Sequence, residues 1–261
     1  MGKKLYFGSN FKMYKNIRAT QEYLEAVIKA AGDINPENIQ LFFIPSYTSL
    51  ESAAGSSVRS SFMLGAQNMC WEEEGQFTGE ISPLMLKELG VDLVMAGHSE
   101  RRHVFDEDDY MENRKVLKAL EHGFTALLCV GETAREKSFG VSAEVLRTQL
   151  KIGLHGVSRE QLSRVWIAYE PVWSIGVNGT PAPVEYARAM HGVIKDCLEE
   201  LFGRAGRDIP ALYGGSVNPD NSDALIAVPD IDGLFTTRTA FQVDAFAKLI
   251  RDAAAVRDRG V

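Results

Sequence analysis

The chain has 261 residues, 45% of them hydrophobic, which is enough to bury a large core and is not the composition of a disordered protein. Its net charge of −7 arises from mixed acidic and basic residues without a basic face, which argues against a nucleic acid partner. No apolar stretch approaches the roughly 20 residues of a membrane span.

The three cysteines, Cys70, Cys129 and Cys197, lie far apart, which argues against a disulfide framework or a zinc knuckle. The first residues, "MGKKLYFGSNFKMYK", contain no apolar run long enough for a signal peptide. We therefore expect a cytoplasmic protein that does not associate with a membrane.

Short apolar runs alternate with longer amphipathic segments along the chain. Their continuous apolar character is typical of parallel strands that are covered on both faces. The runs occupy residues 4–11, 39–45, 62–68, 93–98, 125–131, 165–171, 211–216 and 233–237.

The segments between the runs predict helices. In the clearest one, Ser82 can cap the helix, Pro83 suits its first position and Gly90 ends it. Segment 19–32 places Leu24, Val27, Ile28 and Ala31 on one face and stops at Gly32. Further helices are expected within residues 105–123, 183–203 and 243–255.

Eight strand-then-helix units in one chain predict the α/β class and a single (β/α)₈ barrel domain covering residues 1–261. No composition break divides the chain. An open, doubly wound parallel sheet is the alternative, because periodicity does not distinguish a closed sheet from an open one.

In such a barrel the active site forms where the carboxyl ends of the strands meet the following loops. The run ends supply a cation, an imidazole, carboxylates and a glycine-rich turn. These candidates are Asn10, Lys12, His98, Glu100, Glu170, the Gly-Gly-Ser turn ending at Ser216, and the segment after the eighth run.

This set suits proton transfer beside a carbonyl group. A carboxylate removes the C–H proton as general base, while an imidazole and an ammonium stabilise the enediolate oxygen. The Gly-Gly-Ser turn can offer backbone N–H groups to a phosphate. Neither a metal nor a cofactor is required.

Each candidate also has a purely structural interpretation. Lys12 alone could be a solvated surface lysine, and Glu170 could simply end a strand. The acidic residues 106–109 are interpreted as a helix start. Met69, Cys70, Trp71 and Phe77 could be ordinary packing residues or an interface. The hypothesis depends on several strand ends pointing to one reaction.

Five motifs resemble the triosephosphate isomerase family, in the family's order and over nearly the whole chain. They are "NFKM" at 10–13, "GQFTGEIS" at 75–82, "AGHSERR" at 96–102, "AYEPVWSIG" at 168–176 and "LYGGSVNPDN" at 212–221.

The resemblance implies roles for the reacting residues. Glu170 is expected to be the base that shuttles the proton, His98 the neutral electrophile and Lys12 the cation at the enediolate and phosphate. Asn10 would help to place the substrate, and Glu100 would lie behind these groups, bonded to Lys12.

The resemblance also implies the surroundings of the site. Gly176 and Ser216 would bind phosphate through backbone N–H groups, and Cys129 would be a supporting residue. The family is usually a homodimer, so residues 67–80 would reach into a partner subunit, with Thr78 nearest the neighbouring site.

The sequence departs from the family at the substrate. The lid tip reads Gly176, Val177, Asn178 and Gly179, where the family usually has Gly-Thr-Gly, and "TPA" follows. Thr237 and Arg238 replace a Gly-Gly pair that usually binds phosphate, and Tyr14 replaces a usual Asn. Arg238 could add a charged donor to the phosphate, or it could point outward into a surface salt bridge.

These departures resemble paralogues of the family that interconvert erythrulose phosphates, which share "NG" and "PA" in the lid and an Arg after the eighth strand. We therefore weigh two small phosphorylated sugars as substrate, with a slight preference for a four-carbon erythrulose phosphate over triose phosphate. A different phosphate-binding barrel and a catalytically inactive barrel are the further alternatives. An inactive barrel would be expected to lose Lys12, His98 or Glu170, and all three are present.

Overall fold

A computed structural model describes residues 4–176 and 179–258. In this part of the chain eight parallel strands pair in chain order, and the last closes on the first, which confirms the (β/α)₈ barrel and excludes the open sheet. The strands are β1 Leu5–Asn10, β2 Ile39–Ile44, β3 Met63–Ala66, β4 Leu93–Ala96, β5 Thr125–Val130, β6 Val165–Tyr169, β7 Ala211–Tyr213 and β8 Gly233–Phe235.

Helices connect the strands and surround the barrel. They are α1 Ile17–Ala30, α2 Tyr47–Ala54, α3 Pro83–Glu88, α4 Ser99–Val104, α5 Asp109–Glu121, α6 Ala134–Ser138, α7 Ser142–Gly153, α8 Val184–Phe202, α9 Ser222–Ile226 and α10 Val243–Asp258. None of the helices in the described residues is both long enough and apolar enough to cross a bilayer.

Local signals in the sequence set several helix ends. Ser82 accepts a hydrogen bond of 3.0 Å from the N–H of Leu84, and Pro83 begins α3, as predicted. At the start of α5, Asp108 accepts one of 2.8 Å from the N–H of Met111. Asp108 and Asp109 therefore form the helix start interpreted from the sequence, whereas Glu107 forms ion pairs with Arg101 and Lys115.

The interior of the barrel is filled with side chains from alternate strand positions. Phe42, Leu93, Trp166 and Phe235 lie there in one buried cluster. A Cβ at Gly8 would lie 2.3 Å from the ring of Phe42, so no larger residue fits. Because the interior is packed, a substrate has access only at the carboxyl-terminal mouth of the strands.

Away from this mouth, a buried ion pair ties α8 to the loop before β8. The Nζ of Lys195 lies 2.7 Å from Oδ2 of Asp232, and both side chains are almost fully buried. The same Asp232 oxygen accepts a hydrogen bond of 2.8 Å from the N–H of Ala211. His191, also on α8, is fully buried, and this burial lowers the pKa of its imidazole to about 4.

Candidate active site

A cleft of about 250 Å³ opens at the carboxyl-terminal mouth of the barrel. This volume lies just below the usual range for ligand sites, about 300–1,000 Å³, and suits a compact metabolite. Most of the sequence-predicted residues meet there. The cleft-lining candidates are Asn10, Lys12, His98, Glu170, Gly176, Ser216, Thr237 and Arg238.

Glu170 follows β6 and continues the inward-facing series of Trp166 and Ala168. It is only 3% exposed, and its Oε2 accepts a hydrogen bond of 3.2 Å from the N–H of Ser99. A Cβ at Gly214 would lie 2.9 Å from the Cγ of Glu170, so this glycine leaves the carboxylate its space. The carboxylate is thus held at the cleft wall.

His98 lies at the N-terminus of α4, with its ring against the carboxylate. Its Nδ1 accepts a hydrogen bond of 3.2 Å from the N–H of Glu100. Because that N–H can only donate, this contact gives Nδ1 the acceptor role and leaves Nε2 to carry the ring proton. This Nε2 lies 3.4 Å from Oε1 of Glu170, so a proton donor and a proton acceptor share one wall of the cleft.

Lys12 supplies the cation from the loop after β1. Its φ of 51° lies in the left-handed region, which is uncommon for a residue with a side chain. Its N–H donates to Oδ1 of Asn10 at 2.8 Å, and its Nζ donates to Oε1 of Glu100 at 2.7 Å. The expected contact between Lys12 and Glu100 is present, and it holds the ammonium at the cleft.

Cys129 lies on β5 and is fully buried in the barrel interior. Burial, together with the nearby charge of Glu170, raises the pKa of its thiol well above the usual range. The thiol therefore stays protonated and packs without adding a second negative charge beside the carboxylate.

The turn after β7 forms another wall of the cleft. A Cβ at Gly215 would lie 2.3 Å from the hydroxyl oxygen of the buried Tyr213, so only glycine fits here without moving the turn or that side chain. The N–H of Ser216 donates to Oγ of Ser174 at 3.1 Å. On the neighbouring loop, the hydroxyl of Thr237 donates to the carbonyl of Asn10 at 3.0 Å.

The lid comprises residues 171–183, and Glu132 holds its first part. The indole N–H of Trp173 donates to Oε1 of Glu132 at 2.8 Å, as does the hydroxyl of Tyr186. The Nζ of Lys137 lies 3.2 Å from the centre of the Trp173 ring. At the lid tip, Val177 and Asn178 lie outside the described residues.

Glu132 and Ser174 were missed in the sequence analysis. Glu132 lies two residues after the end of β5, in "VGET", so the criterion of strand ends that selected Glu170 also applied to it. Ser174 lies inside the quoted lid motif "AYEPVWSIG". Both residues hold the lid against the barrel.

Arg238 lies at the mouth of the cleft, where one guanidinium nitrogen donates to the carbonyl of Gly176 in the lid. This contact with the lid is neither the phosphate contact nor the surface salt bridge that the sequence suggested for Arg238. Tyr14 also lines the cleft, with its ring edge-on to Phe241 at a centroid distance of 5.9 Å.

The loop at residues 67–80 lies between β3 and α3. Met69 is fully buried within its own chain and needs no partner to cover it, whereas Phe77 is 42% exposed. Thr78 is also exposed and does not line the cleft of its own chain.

The structure is a closed parallel barrel whose mouth carries a carboxylate, an imidazole and an ammonium, which is the architecture of a barrel enzyme. The family model for triosephosphate isomerase matches residues 5–253. The chain therefore belongs to the triosephosphate isomerase family, and it is an isomerase.

Similar proteins carry two different names. An L-erythrulose-1-phosphate isomerase of Rhizobium etli is 43% identical over 98% of this chain and 94% of its own length. A second L-erythrulose-1-phosphate isomerase, of Rhizobium meliloti, is 40% identical over 96% of this chain and 97% of its own length. A triosephosphate isomerase of Roseiflexus sp. is also 40% identical, over 92% and 94%.

Proposed function

We propose that this isomerase interconverts L-erythrulose 1-phosphate and D-erythrulose 4-phosphate through an enediolate, with Glu170 as the general base. One observation carries the mechanism: Oε1 of Glu170 lies 3.4 Å from the proton-bearing Nε2 of His98 in the cleft. A base and a neutral hydrogen-bond donor side by side are what proton transfer beside a carbonyl requires.

The reaction moves one carbonyl between adjacent carbons. Glu170 takes the proton from C3 of L-erythrulose 1-phosphate, and the C–H electron pair forms a C2=C3 double bond while negative charge develops on the C2 oxygen. His98 and Lys12 stabilise that oxygen, and Asn10 helps to place the substrate. Return of the proton to C2, with transfer of the hydroxyl proton from the C3 oxygen to the C2 oxygen, leaves the carbonyl at C3.

Backbone and side-chain donors on one side of the cleft would hold the phosphate. The N–H groups of Gly176 and Ser216 are the proposed backbone donors, and Thr237 lies beside them. The positive charge of Arg238 would favour a dianion at the same mouth. The N–H of Ser216 would then share its present contact with Ser174.

The names of similar proteins support the four-carbon substrate. Two relatives at 40–43% identity are called L-erythrulose-1-phosphate isomerases. The lid segment "NGTPA" and Arg238 depart from the usual triosephosphate isomerase pattern in the parts that would face the substrate. The relative called triosephosphate isomerase, at 40% identity, favours triose phosphate as the second candidate.

We also propose that the enzyme is a homodimer through residues 67–80, with Thr78 reaching the partner's site. The exposed ring of Phe77 supports this proposal, because a partner surface would cover it. Light scattering coupled to gel filtration measures the mass directly. A mass near the 28.8 kDa of one chain at micromolar concentration would contradict the dimer.

The substrate is tested by comparing kcat/KM for L-erythrulose 1-phosphate and dihydroxyacetone phosphate. We expect the four-carbon substrate to be turned over more efficiently. Equal or better turnover of the triose phosphate would show that the four-carbon assignment is wrong. Activity with neither would favour an inactive phosphate-binding barrel. The Glu170→Gln variant, purified identically, controls for isomerase carried over from the expression host.

A further inference from the structure

We propose that Tyr14 binds the phosphate group of the substrate, with its hydroxyl as a hydrogen-bond donor on the side of the cleft formed by the loops after β1 and β8. This inference deepens the proposed function and rests on it, because it takes the substrate to be a phosphorylated sugar. Tyr14 stands where the triosephosphate isomerase family usually has Asn, so this donor departs from the family pattern.

The side chain of Tyr14 is held at the mouth of the cleft. It lines the cleft, while the residue as a whole stays 60% exposed. Its N–H donates to the carbonyl of Phe11 at 3.1 Å, and its ring stands edge-on to the ring of Phe241. Phe241 packs edge-on against the buried Phe11 in turn, with ring centroids 5.8 Å apart. An aromatic side chain fixed in this way loses little conformational entropy when it binds a ligand.

The position of Tyr14 around the barrel assigns it to the phosphate side of the cleft. Tyr14 follows β1, and its ring contacts Phe241 in the loop after the neighbouring strand β8. The N–H of Phe241 donates to the carbonyl of Thr237 at 3.1 Å, so Tyr14 stands against the turn that the proposed function places beside the phosphate. His98 follows β4, which lies across the barrel from β8. The tyrosine is therefore on the side away from this reacting group.

The two side chains that replace the family's Gly-Gly pair already have protein partners. The hydroxyl of Thr237 donates to the carbonyl of Asn10, and one guanidinium nitrogen of Arg238 donates to the carbonyl of Gly176. The hydroxyl of Tyr14, by contrast, makes no hydrogen bond within the part of the chain that the structure describes. A tyrosine hydroxyl can donate one hydrogen bond, and a charged acceptor strengthens that bond. A free donor from the loop after β1 thus faces the place where two glycines would let the backbone approach the anion.

The test compares wild type with Tyr14→Phe and with Tyr110→Phe. Tyr14→Phe removes only the hydroxyl, and the remaining ring can keep its contact with Phe241. Tyr110 is the matched control, because it is an exposed tyrosine on α5 that does not line the cleft. Three quantities are measured for each enzyme: kcat and KM for the phosphorylated substrate, the inhibition constant of inorganic phosphate, and the rise in Tm when inorganic phosphate is added.

We expect Tyr14→Phe to raise KM about tenfold, the effect of losing one hydrogen bond to a charged group. The value of kcat should change by less than about twofold, because a phosphate contact is made equally in the ground state and in the transition state. The inhibition constant of inorganic phosphate should rise by the same factor as KM, since this probe contains only the group that Tyr14 binds. The rise in Tm with phosphate should shrink accordingly. Tyr110→Phe should match wild type in every measurement.

Three results would overturn the proposal. A higher KM with an unchanged inhibition constant for phosphate would place the hydroxyl at the sugar part of the substrate. A changed mass by light scattering, or a lower midpoint of urea unfolding, would make Tyr14 a structural residue with an indirect effect. No difference from Tyr110→Phe would make it a surface residue. The comparison of Tm values needs no sugar substrate, so the role of Tyr14 can be judged even if the four-carbon assignment fails.

Discussion

Replacing Glu170 with Gln isolates the proposed proton transfer from everything else that this side chain does. Glutamine keeps the length of glutamate, and its carbonyl oxygen can still accept the hydrogen bond from the N–H of Ser99. The cleft wall should therefore stay in place, and the midpoint of urea unfolding should stay close to that of wild type. What is lost is the group that accepts the proton.

The size of the effect follows from that single loss. A positioned general base contributes about 10²–10⁴ in rate, which corresponds to about 3–5 kcal/mol in the activation free energy. Glu170→Asp retains a carboxylate but draws it back by one C–C bond, about 1.5 Å. A displacement of about 1 Å at a reacting centre can cost about 10²-fold, so this variant should also be impaired.

The assay follows isomerisation in D₂O by NMR, which reports both turnover and exchange of the carbon-bound proton. Wild type should incorporate deuterium at the reacting carbon, and Glu170→Gln should incorporate almost none. Glu144→Gln, at an exposed position on α7, controls for the loss of one negative charge. A rate loss below about tenfold for Glu170→Gln, or undiminished deuterium incorporation, would remove Glu170 from the role of base.

Three further predictions concern two buried groups of the fold and the Gly-Gly-Ser turn that is proposed to bind phosphate. Asp232→Asn breaks the buried pair with Lys195 and should lower the free energy of unfolding by about 3–5 kcal/mol. Asp33→Asn, at the exposed pair with Arg251, should lower it by less than about 1 kcal/mol. Equal losses for the two variants would contradict this prediction. Burial lowers the pKa of His191 to about 4, whereas the imidazole of an unfolded chain has a pKa of about 6.5. As the pH falls from about 6.5 to 4, the unfolded chain therefore binds a proton that the folded chain does not bind, and the free energy of unfolding should drop by about 3 kcal/mol. His191→Gln should remove that part of the slope in urea titrations, and an unchanged slope would refute it. Gly215→Ala places a Cβ 2.3 Å from the hydroxyl oxygen of buried Tyr213, so either this side chain or the turn must shift. We expect the turn to move and KM for the phosphorylated substrate to rise about tenfold; an unchanged KM would argue against phosphate binding there.

The fold could be read from the sequence because each strand is a continuous apolar run. The predicted runs nevertheless extend past the true strand ends. The sixth run covers residues 165–171, whereas β6 ends at Tyr169, and the seventh covers 211–216, whereas β7 ends at Tyr213. The excess residues include Glu170 and the Gly-Gly-Ser turn. Apolar composition and glycine continue into the loops, where the backbone leaves the ladder of hydrogen bonds to form the cleft.

The candidate site was predictable where one strand end supplies one residue. Glu170, His98 and Lys12 could be named in this way, and the structure brings them to one cleft. The contacts that hold the lid were not predictable, because they join distant parts of the chain. Glu132 meets Trp173 only when β5 and the lid are adjacent in space, and Arg238 meets Gly176 across 62 residues.

The bond between Trp173 and Glu132 also affects how much of the lid must become ordered when substrate binds. Glu132 is fully buried and holds Trp173 from a rigid part of the barrel, while Ser174 is fastened to the turn after β7. Fixing the backbone of one residue costs about 1–2 kcal/mol in conformational entropy. For the first residues of the lid this cost is met during folding. The substrate does not have to immobilise these residues when it binds, and more of its binding energy is left to stabilise the proposed enediolate.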